Sequence, residues 1–190
     1  MDATLALSQE LELGGYWART ETPGLAGDED SWQTGVNYEG DRYGASASRL
    51  EVGGAFNPEV GFLRRSDFEK SSGSLRFSPR PASVEAVRKL TWETGLDHFA
   101  NRTDGRMQSR RQSGRFEVEM ENSDQYAVEV VREFERIDEP FAISGDLTVP
   151  EGRYTFTSYR ASFNAGPQRR ISGNVSFQWG DFYHGSIRAL

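Results

Sequence analysis

Arg115-Phe116-Glu117-Val118-Glu119-Met120-Glu121 is followed by Asn122-Ser123-Asp124 and then by Tyr126-Ala127-Val128-Glu129-Val130, and these fifteen positions decide the fold class. Phe116, Val118 and Met120 fall on one side of a two-residue period, with Arg115, Glu117, Glu119 and Glu121 on the other. The Asn-Ser-Asp interruption is turn chemistry. After it Tyr126, Val128 and Val130 resume against Ala127 and Glu129. Two successive antiparallel strands therefore share one apolar face.

The same period recurs outward in both directions. Lys89 to Phe99 sets Leu90, Trp92, Thr94 and Leu96 against Lys89, Thr91, Glu93 and Asp97. Thr4 to Ala18 reads as one long strand with Leu5, Leu7, Leu11, Leu13 and Trp17 opposite Ser8, Glu10 and Glu12. Ile171, Val175, Phe177 and Trp179 alternate with Arg170, Ser172, Asn174, Ser176 and Gln178. Shorter strands are expected over Trp32 to Tyr38, Tyr43 to Leu50, Ser72 to Ser78 and Arg153 to Phe163, the last changing face near Ser158 as if bulged. Nine strands and the start of a tenth, Ser186 to Leu190, make an up-and-down meander.

The linkers divide by length. Glu39 to Arg42, Pro79 to Ser83, Asn122 to Asp124 and Gly166 to Gln168 read as tight turns rich in Gly, Pro, Asn and Asp. Between them stand longer ones: Glu21 to Ser31, Gly53 to Asp67, Asn101 to Gly105, Ile137 to Gly152, and one opening at Gly180. Turns that are short on one rim and long on the other are the pattern of a transmembrane β-barrel. The expectation is an all-β, antiparallel meander forming part of such a barrel, as a single segment over residues 1–190.

Composition restricts the alternatives. The 190 residues hold no Cys, which leaves the redox compartment open, and the net charge of -7 comes without a basic stripe, which disfavours nucleic acid. No run nears the ~20 apolar residues of a membrane-spanning helix. Mean hydropathy is -0.68. That value is polar for a membrane protein, yet a barrel shows lipid only every second strand residue and lines its interior with polar ones. Met1-Asp2-Ala3 passes directly into strand pattern with no export signal.

Phe56-Asn57-Pro58-Glu59-Val60-Gly61-Phe62-Leu63-Arg64-Arg65-Ser66-Asp67-Phe68, then Gly73 to Pro81, Phe116 to Asp124, Glu139-Pro140-Phe141 and Gln168 to Gly173 leading to Gly180-Asp181-Phe182-Tyr183, resemble the C-terminal barrel region of the bacterial family called domain of unknown function 5916. The resemblance covers nearly the whole chain. It implies a bacterial outer-membrane β-barrel, in which the family places a domain similar to carbohydrate-binding module family nine ahead of a large barrel. This chain resembles only an internal slice of that barrel, without the leading domain. The family carries no settled activity, so the resemblance implies location and architecture.

The candidate functional residues follow from the alternation. Glu10, Glu12, Glu93, Asp97, Arg115, Glu117, Glu119 and Glu129 fall on the polar side and are the expected lumen lining. A charged wall selecting cations is the functional reading; a solvated inner face with cross-strand ion pairs is the simpler one. The loop Gly53 to Asp67 holds Phe56, Val60, Phe62 and Leu63 beside Asn57 and the pair Arg64-Arg65. So apolar a loop is expected to fold inward, with Phe56, Asn57, Phe62, Arg64 and Arg65 forming a constriction held against Glu117, Glu119 and Glu129. Trp17, Trp32, Trp92, Trp179, Tyr16, Tyr38, Tyr43 and Tyr154 sit mostly near strand ends, as interfacial aromatic belts do, or else stack on sugars.

Enzymatic readings have little support in the residues. His98 and His184 are the two histidines, and no cluster has metal-ligand spacing. Asp28-Glu29-Asp30 offers oxygens for calcium, with an acidic solvated loop as the simpler account. The Gly-x-Ser-x-Gly elbow is absent. No catalytic residue, metal or cofactor is expected. The expected partners are outer-membrane lipid and a carbohydrate or other small solute. The competing reading is a soluble or cell-surface all-β carbohydrate-binding module whose alternation merely separates core from solvent.

Overall fold

The computed structural model describes residues 1–59, 61, 63, 65–144, 147–169 and 172–190. These residues form no helix and thirteen strands: β1 (Asp2–Ala6), β2 (Leu11–Arg19), β3 (Asp30–Glu39), β4 (Tyr43–Val52), β5 (Phe68–Phe77), β6 (Val87–Asn101), β7 (Met107–Met120), β8 (Gln125–Ile137), β9 (Phe141–Ser144), β10 (Leu147–Val149), β11 (Gly152–Ala165), β12 (Gly173–Phe182) and β13 (Gly185–Ala189). Eleven of them form one antiparallel sheet in meander order, from β1 to β8 and on through β11, β12 and β13. β9 and β10 form a separate hairpin within the β8 to β11 connection. β1 pairs only with β2 and β13 only with β12, so the sheet is open at both edges.

The sheet has eleven strands where nine or ten were expected, and one difference lies at the start. Thr4 to Ala18 is a hairpin. Leu5 pairs with Leu13 and Ala6 with Glu12, and the Leu7 amide donates to the Leu11 carbonyl across the turn. Paired residues in this hairpin share odd or even parity, so the alternation passes through the turn unbroken and looks like a single strand. The turn has neither Gly nor Pro. Ser8 Oγ closes it by accepting from the Glu10 and Leu11 amides at 3.1 and 3.0 Å.

Loop lengths alternate only in part. Connections 20–29, 53–67 and 138–151 all leave one rim, hereafter the long-loop rim. Yet 102–106 on that rim is shorter than 78–86 on the other, and the expected loop after Gly180 is instead the tight turn at 183–184, from which β13 returns. The expected bulge at Ser158 is also absent: β11 runs in unbroken register against β8 from Gly152 to Asn164. Within the eleven-stranded sheet the register shifts lie between β6 and β7, at Val87/Lys89 and Phe99/Ala100.

The switch of apolar residues in β11 has another cause. Tyr159 and Phe163 lie on one face of the sheet and Tyr154 and Phe156 on the other, where Val149 of the β9–β10 hairpin covers them. Val149, Tyr154 and Phe156 are buried with Ile137 and Tyr183 packed against them. Val52, Phe68 and Val131 are buried on that same face. Polar along most of its length, this face is therefore apolar where loops fold over it, and a strand crossing that line changes its apolar side without a bulge.

The long-loop rim is tied together by polar contacts. The Ala55 amide donates to the Asp28 carbonyl at 2.9 Å and the Asn57 amide to Thr20 Oγ1 at 3.0 Å. A Cβ on Gly53 would overlap the Asp28 carbonyl oxygen, which explains the glycine there. Arg102 bridges Asp28 and Glu51, and Asn101 and Thr103 bind the Asp67 side chain at 2.8 and 2.9 Å. Arg19 takes Glu29 at 3.6 Å. The acidic loop at 28–30 thus spends two carboxylates on arginines.

At the opposite rim, Asp124 joins two neighbouring turns. Its carboxylate accepts from the Gly166 amide and from Arg169 Nε, both at 2.9 Å, with Asn122 Nδ2 at 3.0 Å. The Arg169 guanidinium and the Gly166 amide hold the carboxyl down to about 2, from an ordinary 3.8. A carboxyl depressed by folding contributes its full stability above the ordinary value and loses it as pH falls through the folded one. The chain should therefore lose resistance to urea between about pH 4 and pH 2, and Asp124→Asn should make that acid limb shallower while lowering the midpoint at pH 7.

Candidate functional site

Following the register across the sheet assigns every strand residue to one of two faces. One face carries an apolar band. A row crosses it through Tyr43, Phe77, Trp92, Phe116, Val128, Ala161 and Phe177, each the cross-strand partner of the next. Its first rings lie 5.3, 5.8 and 5.0 Å apart between centroids. Adjacent rows add Leu75, Val130, Tyr159 and Trp179, and Leu90, Val118, Tyr126, Phe163 and Val175. These side chains are open to the surroundings: Leu75 is 61% exposed, Val128 54% and Trp92 42%. Single exposed apolar residues are ordinary on a soluble surface, but a continuous band spanning most of the strands is not. Above Gly114 and Ala45 the band dips into a shallow depression of about 840 Å³ rimmed by Tyr38, Leu75, Trp92, Phe116 and Tyr159.

The other face is charged and small-residued. Its central row runs Arg76, Glu93, Arg115, Glu129, Arg160 and Gln178, alternating in sign until the last. Arg115 pairs with Glu117 at 2.5 Å, Arg88 with Glu119 at 3.1 Å, and Arg160 Nη2 donates to Gln178 Oε1 at 2.8 Å. Two rows nearer the long-loop rim, Asp97 accepts from Ser72 Oγ at 2.7 Å and pairs with Lys70 at 3.0 Å, while Arg111 pairs with Glu133 at 2.8 Å. Toward β1, a second depression of about 420 Å³ is walled by small groups, among them Thr4, Gly14, Gly35, Ser46 and Ser48.

Seven of the eight expected wall residues share this face: Glu12, Glu93, Asp97, Arg115, Glu117, Glu119 and Glu129. Glu10 does not join them. It stands in the β1–β2 turn, outside either strand, because the hairpin replaces the single expected strand. Most of the wall carboxylates face arginine or lysine across the sheet, so the wall is an alternating lattice rather than an acidic surface.

The loop from 53 to 67 meets different partners from those expected. Phe56 and Asn57 are half-buried, and Asn57 Nδ2 donates to Thr22 Oγ1 of the loop at 20–29 at 3.4 Å. Arg65 lies over the Phe99 ring, 5.7 Å from its centroid, and Lys70 lies over the same ring at 5.1 Å. The reason is position: Glu117 and Glu119 stand at the short-turn end of β7, whereas the loop enters from the opposite rim. Phe62 and Arg64 lie outside the described residues.

Sequence reading missed the aromatic group at the long-loop rim. Tyr183 donates to Glu135 Oε2 at 2.6 Å, Tyr154 donates to the Pro150 carbonyl at 2.9 Å, and His184 Nε2 lies 3.3 Å from the Tyr154 hydroxyl. His98 sits on the opposite face of the sheet, so the two histidines do not converge. The only signal in the sequence was the density of aromatics in Phe182-Tyr183-His184, and the hairpin that seats them comes from a distant loop.

No family model matches the chain, and no curated protein and no solved structure is similar to it at a significant level.

Burial, with the Glu135 carboxylate beside it, pushes the Tyr183 hydroxyl well above its ordinary value of 10. In an ultraviolet titration Tyr183 should therefore stay protonated after the exposed tyrosines have ionised. Tyr183→Phe should remove that late component; a variant spectrum that keeps it would place the late-titrating group elsewhere.

Proposed function

We propose that the chain is part of a bacterial outer-membrane β-barrel, non-enzymatic, whose apolar face meets lipid and whose charged face lines a wet interior where a solute passes or binds. The observation that carries this reading is the pairing of a continuous exposed apolar band with an opposite face that is polar along most of its length, across one meander sheet. In water the band would be a liability; in a bilayer it is the surface that closed barrels present. The grouping of the three longest connections on one rim supports the same reading, as does the resemblance to the barrel region of the domain-of-unknown-function 5916 family. Lumen selectivity would then rest on the alternating lattice of Glu93, Arg115, Glu129 and Arg160, with Arg65 and the β9–β10 hairpin narrowing the long-loop mouth.

One observation favours a second reading. The row of Tyr43, Phe77 and Trp92 rings, stacked in succession with Phe116 tilted beside them, next to a shallow depression, is also the geometry of a platform for sugar rings, as in a soluble or cell-surface carbohydrate-binding module. The two readings differ in what touches the band.

Single cysteines at Leu13, Trp92 and Leu96 should react with bilayer-soluble probes and resist aqueous ones once the protein is in membranes. Cysteines at Glu12, Glu93 and Asp97 should do the reverse. Equal aqueous labelling of the two sets would remove the membrane assignment and leave the sugar platform.

A further inference from the structure

Between the apolar band and the long-loop rim, the band's own face turns basic. Arg110 of β7, Arg132 and Arg136 of β8 and Arg153 of β11 all lie on it, with His98 of β6 the cross-strand partner of Arg110. From β6 through β8 and on β11, every Asp and Glu within a strand lies on the opposite face. Among the described residues the β7 arginines that form ion pairs are Arg111 and Arg115, which point the other way, and none of these four arginines has a carboxylate partner. Arg136 and Arg153 are direct cross-strand partners. Like charges set opposite each other in a sheet are unfavourable unless something anionic stands between them. Arg136 is held in place by its Nε donating to the Met107 carbonyl at 3.2 Å.

The same face a few strands away shows the ordinary arrangement. Arg49 there is matched by Glu51 and Glu69, and Arg102 by Glu51 and Asp28. The cluster on β7, β8 and β11 is therefore a local departure, on a chain whose net charge is -7.

We infer that Arg110, Arg132, Arg136 and Arg153 form a docking surface for the phosphate headgroup of an anionic membrane lipid. The occupant follows from chemistry and continuity. Guanidinium forks match phosphate oxygens two at a time. The arginines begin where the exposed apolar side chains end, so a lipid whose tails lie along Val130 and Tyr159 brings its headgroup to them. This deepens the membrane reading above and rests on it.

The test is partition of the full chain onto phosphatidylcholine vesicles with and without phosphatidylglycerol. The expected result is binding at least about tenfold tighter to the anionic vesicles at low salt, the scale of several basic residues at an anionic surface. The variant Arg110→Gln, Arg132→Gln, Arg153→Gln should lose that preference and keep its binding to phosphatidylcholine. Replacing the same three with lysine, which keeps the charge and guards against a folding defect, should retain most of it. Equal binding of the wild-type chain to both vesicles, or a preference that survives the glutamine variant, would overturn the headgroup surface while leaving the membrane reading standing. Binding to neither vesicle would overturn the membrane reading and this surface with it.

Discussion

Cross-strand register carries the whole arrangement. Side chains alternate with period two, so a slip of one residue between any neighbouring strands would turn that strand's apolar set onto the charged face. From β1 to β13 the described pairs keep one assignment of faces, and the two shifts between β6 and β7 fall at that strand's ends, beyond the central rows. The aromatic row and the alternating charge row are consequences of it. Each neighbouring aromatic pair contributes about 0.5 to 1.5 kcal/mol beyond its buried area, while each exposed ion pair contributes about 0 to 1 kcal/mol. Register is thus fixed mainly from the apolar side, and the charged lattice follows.

The long-loop rim obeys a second constraint. Val52, Phe68, Val131, Tyr154 and Phe156 stand buried on the polar face, and for Tyr154 and Phe156 the β9–β10 hairpin supplies the cover through Val149. Burying side chains of that size stabilises by roughly 1.5 to 3 kcal/mol each. The loops are consequently packed structure. Arg102, Asp67 and Asn57 then fix where the covering segments lie, and so fix how much of the charged face remains open beyond them.

The sequence made the all-β class, the meander and most of the polar wall legible, because those depend on a local period. What it hid depends on partners far along the chain. The hairpin at Leu7 to Glu10 escaped because its register preserves parity and Ser8 closes the turn without glycine or proline. The face switch within Arg153 to Phe163 looked like a bulge because the hairpin covering Tyr154 and Phe156 belongs to another segment. Arg65 reaches Phe99 rather than an acid because loop and strand meet at one rim. The arginines at 110, 132, 136 and 153 looked like scattered members of mixed-charge strands, and only the pairing of β7, β8 and β11 brings them onto one face.

Eleven strands in an open sheet leave two backbone ladders without partners, one along β1 and one along β13. In water such edges invite pairing with other chains; in hydrocarbon each unpaired amide or carbonyl costs several kcal/mol, which is why membrane-spanning sheets close. The apolar band reaches one edge through Leu5 and Leu13 and, on the other side, runs through Phe177 and Trp179 of β12, the strand next to the β13 edge. A bilayer position for the band therefore demands that both ladders be paired, by further strands or by another copy of the chain. A soluble sugar-binding role makes no such demand on the edges, but it must cover most of the band. The same sheet thus sets different conditions for the two readings: one needs its edges completed, the other its face.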